Sequence, residues 1–182
     1  TPPRPYESPP TRLHGAAGTG GQRAGAAFRF RWDSAIPFDP MNSLVVMGVA
    51  GCGKSSLAKA VALGEGLPLI EGDDHHSAEN RERMARGIAL TDTDRQDWLA
   101  TLGALLRSHP DGAVLTCSAL KRDYRRQLRD ASPGLRFAFL EITPAAAAAR
   151  VAARAATHFF AASLVDSQFA TLESPVGEPG VL

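Results

Sequence analysis

Short apolar segments alternate with helix-like segments along the chain after residue 41. The apolar segments are typical of strands buried on both faces of a parallel sheet, and they occur at residues 44–47, 67–70, 113–117 and 136–140. Helical segments are predicted at residues 54–63, 77–86, 92–108, 118–130, 143–156 and 161–172. Because strands that alternate with helices form a parallel sheet covered on both faces, the pattern predicts a three-layer α/β domain.

Residues 1–40 differ in composition from the rest of the chain. They combine several prolines with a Gly- and Ala-rich stretch at 15–27 and show no sustained helix or strand period. Such a segment buries too little apolar surface to offset the entropy lost on ordering. We therefore expect a disordered N-terminal extension at 1–40 and a folded domain at 41–182. Met41 stands directly before the first strand, which suggests the hypothesis that the native chain starts there.

The composition bounds the partners that the chain is expected to bind. Lys and Arg number 20 against 19 Asp and Glu, so a net charge of +1 gives no global attraction to nucleic acid or to an anionic membrane. Cys52 and Cys117 lie far apart and have no neighbour at metal-ligand spacing, which favours a reducing, cytoplasmic location. No apolar run approaches the roughly 20 residues that span a bilayer.

A phosphate-binding loop is the strongest single motif. The run GVAGCGKS fits G-x-x-x-x-G-K-[ST], with a strand before it and a helix after it. In such a loop the backbone N–H groups and the helix N-terminus face the triphosphate, Lys54 adds a mobile charge, and the Ser55 hydroxyl ligates Mg²⁺. The predicted nucleotide-binding residues in the loop are Gly48, Val49, Ala50, Gly51, Cys52, Gly53, Lys54, Ser55 and Ser56. A glycine-rich turn with an unrelated lysine is the alternative interpretation.

Other sequence features narrow the class of P-loop protein. GTPases read their base with Asn-Lys-x-Asp, whereas Asn42 and Asn80 are not followed by lysine. Motor and transport ATPases need a strand that ends in a carboxylate, whereas the third strand here ends in Thr-Cys-Ser. The small kinases remain as the predicted class. In these proteins a second substrate docks over the carboxyl edge of the sheet. Asp73 follows the second strand at that edge.

Ordered motifs after the loop resemble those of the gluconokinase family. The run EGDDHHSAEN at 71–80 and DTDRQDWL at 92–99 are similar to its G-D-x-x-H-P and D-x-D-R-x-x-W-L patterns. CSALKRDYR at 117–125 and SQFATLESP at 167–175 are similar to C-S-A-L-K-x-x-Y-R and S-Q-F-x-x-L-E-x-P. The chain departs from the family pattern at three positions, where Ser and Ala replace Pro and Arg replaces Lys: Ser77, Ala89 and Arg83.

The resemblance implies an activity and roles for individual residues. It implies a homodimeric kinase that uses ATP and Mg²⁺ to phosphorylate D-gluconate at its 6-hydroxyl. Asp73 would be the base or would hold Mg²⁺ through water, and the residues leave these two roles open; a solvated helix-capping carboxylate is the structural alternative. His76 would hydrogen-bond the substrate. Arg95 would meet the substrate carboxylate or the transferred phosphoryl group, unless Asp92 and Asp94 hold it in an ion pair.

Further basic residues are assigned on the same resemblance. Lys121, just after the third strand, would add charge near the substrate. Arg150 and Arg154 lie one helical turn apart and, with His158, would belong to a lid that closes over the phosphates and excludes water. The arginines of the fourth predicted helix are interpreted as a solvated basic face: Arg122, Arg125, Arg126 and Arg129.

The end of the sequence predicts an incomplete domain. The family continues past L-E-x-P into a last strand and a C-terminal helix that help hold adenine, whereas seven residues follow Pro175 here. We therefore expect these elements to be missing and one sheet edge to be unpaired. Two alternatives to a gluconate kinase follow: another small-metabolite kinase of the shikimate or adenylylsulfate type, or an inactive nucleotide-binding module.

Overall fold

A four-stranded parallel sheet forms the centre of the domain. The computed structural model describes residues 42–154, 161 and 163–182, so the extension expected at 1–40 lies outside the described residues. The strands are β1 (Leu44–Met47), β2 (Leu69–Glu71), β3 (Val114–Cys117) and β4 (Arg136–Phe139). Their order is β2-β3-β1-β4, and every neighbouring pair is parallel. The α/β fold and its parallel sheet are therefore confirmed.

Helices follow the strands on both faces of the sheet. They are α1 (Lys54–Glu65), α2 (Ala78–Ala85), α3 (Asp92–Arg107), α4 (Arg122–Ala131), α5 (Pro144–Ala152) and α6 (Leu164–Thr171), and a 3₁₀ turn spans Gly72–His75. α4 begins at Arg122 rather than at the predicted Ser118. Ala119 has a φ of 44° and Lys121 has an extended backbone, so this stretch cannot continue a right-handed helix.

Alternate side chains of the strands pack on opposite faces. On one face Val45, Met47 and Leu115 join side chains of α3 and α4 in the larger core cluster. On the other face Leu44 and Val46 pack against α1. Because every residue of β1 is buried, the strand is apolar throughout, which is why its sequence shows no alternation.

The carboxyl-terminal residues pair with the outer edge of β4. Phe137 N–H donates to the Gly180 carbonyl at 2.9 Å, and Leu182 N–H donates to the Phe137 carbonyl at 2.8 Å. Val181 forms a parallel bridge with Phe137. The expectation that this edge is unpaired was therefore wrong for β4, because the end of the chain runs beside it.

The prediction of a solvated basic face on α4 is also wrong for one of its residues. The side chain of Arg125 is 0% exposed and lies against Glu178. Arg126, in contrast, is a surface residue paired with Asp123 at 3.1 Å. In the part of the chain that the structure describes, no helix has both the length and the apolar character needed to cross a membrane.

Candidate active site

A cleft that opens to solvent lies at the carboxyl edge of the sheet. The loops that follow β1, β2 and β3 all contribute to its wall, since parallel strands end at the same edge. The predicted site residues that line it are Ala50, Gly51, Gly53, Lys54, Ser55, Ser56, Asp73, His76, Arg95 and Arg154. The structure thus brings residues from four separate segments of the sequence into one cleft.

The P-loop takes a conformation that glycine makes possible. Gly48 has a φ of 138°, and a Cβ atom placed there would lie 2.7 Å from the Leu140 carbonyl oxygen. Gly53 has a φ of 104° and is the N-cap of α1, where it leaves the first N–H groups of the helix without a side-chain acceptor. The Lys54 ammonium donates to the carbonyls of Gly48 at 3.1 Å and Val49 at 3.0 Å. The N-terminus of α1 and the Lys54 ammonium therefore present N–H donors and a mobile cation to an anion.

A glutamine from α6 also contacts the P-loop. Ala50 N–H donates to Gln168 Oε1 at 2.6 Å, across 118 residues of sequence. Gln168 and its neighbour Ser167 line the cleft. Neither residue was predicted to belong to the site, although both stand in the S-Q-F motif that supported the family resemblance. That motif was the signal that could have found them.

Oxygen atoms cluster beside Ser55. Its hydroxyl donates to Glu71 Oε2 at 3.1 Å, and the Thr116 hydroxyl donates to the same oxygen at 2.6 Å. Glu71 was not predicted as a site residue. Among the described residues no group of three or more His, Cys, Asp or Glu side chains could hold a metal ion. These hard oxygen atoms suit Mg²⁺, which usually takes few protein ligands and completes its shell with phosphate oxygens and water.

The turn that carries Asp73 is held from two sides. Gly72 N–H donates to the Thr116 hydroxyl at 3.2 Å, and the Trp98 indole N–H donates to the Gly72 carbonyl at 2.8 Å. His76 stacks on the Trp98 ring with a centroid distance of 4.2 Å and an interplanar angle of 14°. Asp73 and His76 are therefore fixed relative to β3 and α3, and both side chains reach the cleft.

The imidazole of His76 is held in its neutral form. Burial lowers its pKa to about 4, and the positive charges of Arg95 and Arg81 act in the same direction, while Asp73 opposes them. Its Nδ1 atom is buried and has no hydrogen-bond partner within the described part of the chain. A neutral ring with one uncommitted nitrogen is suited to hydrogen-bonding a substrate hydroxyl.

This pKa predicts a pH-dependent stability. Between about pH 6.5 and pH 4 the unfolded chain protonates His76 and the folded chain does not, so the free energy of unfolding falls as the pH is lowered through that window. His76→Phe keeps a flat ring against Trp98 and removes the titration, so we expect a smaller loss of stability over the window. Urea unfolding at several pH values measures this loss of stability. His75→Phe, at the exposed neighbouring position, is the control and should keep the wild-type dependence of stability on pH. Equal slopes for the wild type and His76→Phe would contradict the prediction.

Arg95 is available to a ligand in the cleft. Its Nη1 atom donates to the Leu90 carbonyl at 2.6 Å. The two carboxylates that could have held it bond elsewhere: Asp92 accepts from Lys121 at 2.7 Å and from the Tyr124 hydroxyl, and Asp94 forms a capping box with Thr91 and an ion pair with Arg83 at 3.4 Å. The alternative of an ion pair between Arg95 and these carboxylates is therefore not what the structure shows.

The remaining predicted cations take three different places. Lys121 is paired with Asp92 and does not reach the wall of the cleft. Arg150 Nη1 donates to the Gly51 carbonyl at 3.3 Å, which puts its charge beside the P-loop. Arg154 lines the cleft one turn further along the chain. His158 lies outside the described residues.

Comparison with known proteins identifies the family. No family model matches the chain. The gluconokinase of Gluconobacter oxydans (strain 621H) is 44% identical over 142 residues, which cover 76% of this chain and 79% of that protein. The thermosensitive gluconokinase of Escherichia coli (strain K12) is 39% identical over 137 residues, covering 73% and 72%. The chain belongs to the gluconokinase family.

Solved structures agree with the assignment to the gluconokinase family. The crystal structure of a gluconokinase from Sinorhizobium meliloti 1021 is 47% identical, with a TM-score of 0.71, and the match covers 78% of this chain and 81% of that one. An unliganded sugar kinase from Janibacter sp. HTCC2649 is 41% identical with a TM-score of 0.73, covering 79% and 84%. The family resemblance and the kinase fold predicted from the sequence are both confirmed.

Proposed function

We propose that this chain transfers the γ-phosphoryl group of ATP to the 6-hydroxyl of D-gluconate and forms 6-phosphogluconate and ADP. The observation that carries the proposal is that the P-loop with Lys54 shares one cleft with Asp73, His76 and Arg95. The gluconokinases similar to this chain support the choice of substrate.

The nucleotide's phosphates would lie along the P-loop. Gly51 and the residues from Gly53 to Ser56 line the cleft at the N-terminus of α1, and the Lys54 ammonium would exchange its carbonyl partners for phosphate oxygens. Ser55 would hold Mg²⁺ directly, with Glu71 acting through water, and Asp73 would act in the same way if it is not the base. When bound there, Mg²⁺ would supply positive charge that offsets the charge of the phosphate oxygens. Arg150 of α5 and Arg154, just beyond the end of that helix, would stabilise the same negative charge.

Gluconate would occupy the side of the cleft between the 3₁₀ turn and α3. Arg95 supplies a planar donor for the carboxylate or for the phosphoryl group in transit. His76, neutral and stacked on Trp98, would hydrogen-bond a hydroxyl of the sugar acid. Asp73 would accept the proton of the attacking 6-hydroxyl as that oxygen bonds to phosphorus and the bond to ADP breaks.

Three further features are part of the same proposal. Lys121 would have to leave Asp92 to reach the substrate, and His158 would belong to the lid. The family resemblance also implies a homodimer, and the two unpaired cysteines favour a cytoplasmic location. The homodimer and the lid concern the assembly and the closed state, and they are independent of the chemistry assigned to the cleft.

An ADP-release assay coupled to NADH oxidation tests the activity. We expect release to depend on D-gluconate, and we expect kcat/KM for D-sorbitol to be about 10–100-fold lower, because sorbitol leaves Arg95 without the carboxylate it would pair with. Turnover with shikimate or adenylylsulfate instead of gluconate would assign a different small-metabolite kinase. An equal rate of ADP release with and without every acceptor would indicate an ATPase. No ADP release at all would indicate an inactive nucleotide-binding module.

A further inference from the structure

Three arginines of α4 converge on one glutamate near the end of the chain. Arg125 donates to both carboxylate oxygens of Glu178, with Nη2 at 2.5 Å from Oε1 and Nε at 3.0 Å from Oε2. Arg129 contacts Oε2 at 3.2 Å, and Arg122 contacts Oε1 at 3.3 Å. We refer to these four residues as the Glu178 clamp. It ties the segment after α6 to α4 from the first residue of that helix, Arg122, to its last turn, where Arg129 lies.

The centre of the clamp is removed from solvent. The side chain of Arg125 is 0% exposed and that of Glu178 is 8% exposed. Hydrogen bonds from Arg125 hold the pKa of Glu178 at about 2, so the carboxylate stays charged at every pH at which the domain would work. Replacing a buried ion pair by apolar residues is often neutral or stabilising, so stability alone is a weak explanation for such a pair. A role in fixing the geometry of the neighbouring backbone is a better explanation for the buried ion pair.

Arg125 also holds the loop that precedes α4. Its Nη1 atom donates to the carbonyls of Ala119 at 2.9 Å and Leu120 at 3.0 Å. Ala119 is the one non-glycine residue among those described that has a positive φ, which is 44°. An alanine adopts this conformation only where its surroundings determine it, and such residues concentrate at functional sites. The guanidinium that fixes the two carbonyls is itself oriented by Glu178.

The strained loop forms part of the candidate active site. Ser118, directly before Ala119, lines the cleft. Its carbonyl accepts a hydrogen bond from Gly48 N–H, the first residue of the P-loop, at 3.3 Å. A change in the backbone at Ala119 would therefore move a wall of the cleft and an anchor of the phosphate-binding loop together.

We propose that the Glu178 clamp is a positioning device for phosphoryl transfer. Glu178 orients Arg125, Arg125 holds Ala119 in its left-handed conformation, and this conformation sets Ser118 and the start of the P-loop. Glu178 and Arg125 are thus positioning residues that act through the backbone and touch no substrate. The proposal rests on the proposed function in one respect, namely that the cleft beside Ser118 is where the phosphoryl group is transferred.

Glu178→Gln tests the clamp, because it keeps the size of the side chain and removes its charge. We expect kcat to fall about 10-fold or more while KM for ATP changes less, since small displacements of reacting groups cost far more rate than binding. Ala119→Gly in the Glu178→Gln background should recover part of the lost kcat, because glycine takes a positive φ without the clamp. Arg126→Gln is the matched control: it removes an exposed ion pair of the same helix and should leave kcat unchanged.

Two measurements separate positioning from general destabilisation. Thermal unfolding shows whether each variant is folded at the assay temperature, so that kcat refers to folded protein. Amide hydrogen exchange at Gly48 should rise in Glu178→Gln and stay at the wild-type rate in Arg126→Gln; this readout requires no activity and stands even if gluconate proves to be the wrong substrate. An unchanged kcat and Gly48 exchange in folded Glu178→Gln, or no recovery on adding Ala119→Gly, would overturn the proposal.

Discussion

Lys54→Met is expected to lower kcat for gluconate phosphorylation by about 10²–10³-fold, the usual loss when one preorganised charge or donor is removed from a transition state. Methionine keeps most of the length and apolar stem of lysine, so the P-loop should retain its shape. The ammonium is now bonded to two loop carbonyls, and these bonds are replaceable by bonds to phosphate oxygens. Steady-state kinetics with saturating gluconate measures the effect.

A second lysine of the same helix provides the control for this experiment. Lys59 is exposed on α1, five residues further along, so Lys59→Met should leave kcat and KM at their wild-type values. If Lys54→Met kept wild-type turnover and ATP affinity, the phosphate site would not lie at this loop. The kinase mechanism proposed for the cleft would then fail as a whole.

Asp73→Asn is expected to lower kcat by about 10²–10⁴-fold if the carboxylate accepts the proton of the attacking hydroxyl, which is the usual contribution of a general base. Asparagine has the same shape and can keep hydrogen bonds, so the change isolates the charge and the basicity. Asp74→Asn is the matched control, because Asp74 is the next residue of the same 3₁₀ turn and is exposed. We expect its kcat to stay within about twofold of the wild-type value, as for a surface substitution away from any special feature.

The dependence on Mg²⁺ distinguishes the two roles left open for Asp73. If the carboxylate held the ion through water, the rate of Asp73→Asn would recover as the Mg²⁺ concentration is raised. If it is the base, the loss should persist at saturating Mg²⁺. A wild-type kcat for Asp73→Asn at every Mg²⁺ concentration would contradict both roles and leave Asp73 as a structural residue of the turn.

The elements of this fold were readable from the sequence because their signals are local. The apolar runs of β1 and β3 and the glycines of the P-loop each report a backbone conformation within a few residues. The start of α4 was misplaced for a physical reason. The stretch from Ser118 has helix-compatible residues, but Ala119 takes a left-handed conformation that no local preference predicts, and Arg125 donates to its carbonyl.

The sequence by itself indicated the chemistry available at the carboxyl edge of the sheet: the P-loop followed from its spacing, Asp73 from its place after the second strand, and Arg95 from the family resemblance. Tertiary structure alone decided which other side chains join them. Gln168 reaches the P-loop across 118 residues, Glu71 meets Thr116 across 45, and Glu178 meets Arg125 across 53. Periodicity and motif spacing describe neighbours along the chain, whereas these contacts depend on how the helices and the last segment pack on the sheet. Because of the same packing, Arg125 is buried, although the sequence had predicted a solvated cation at this position.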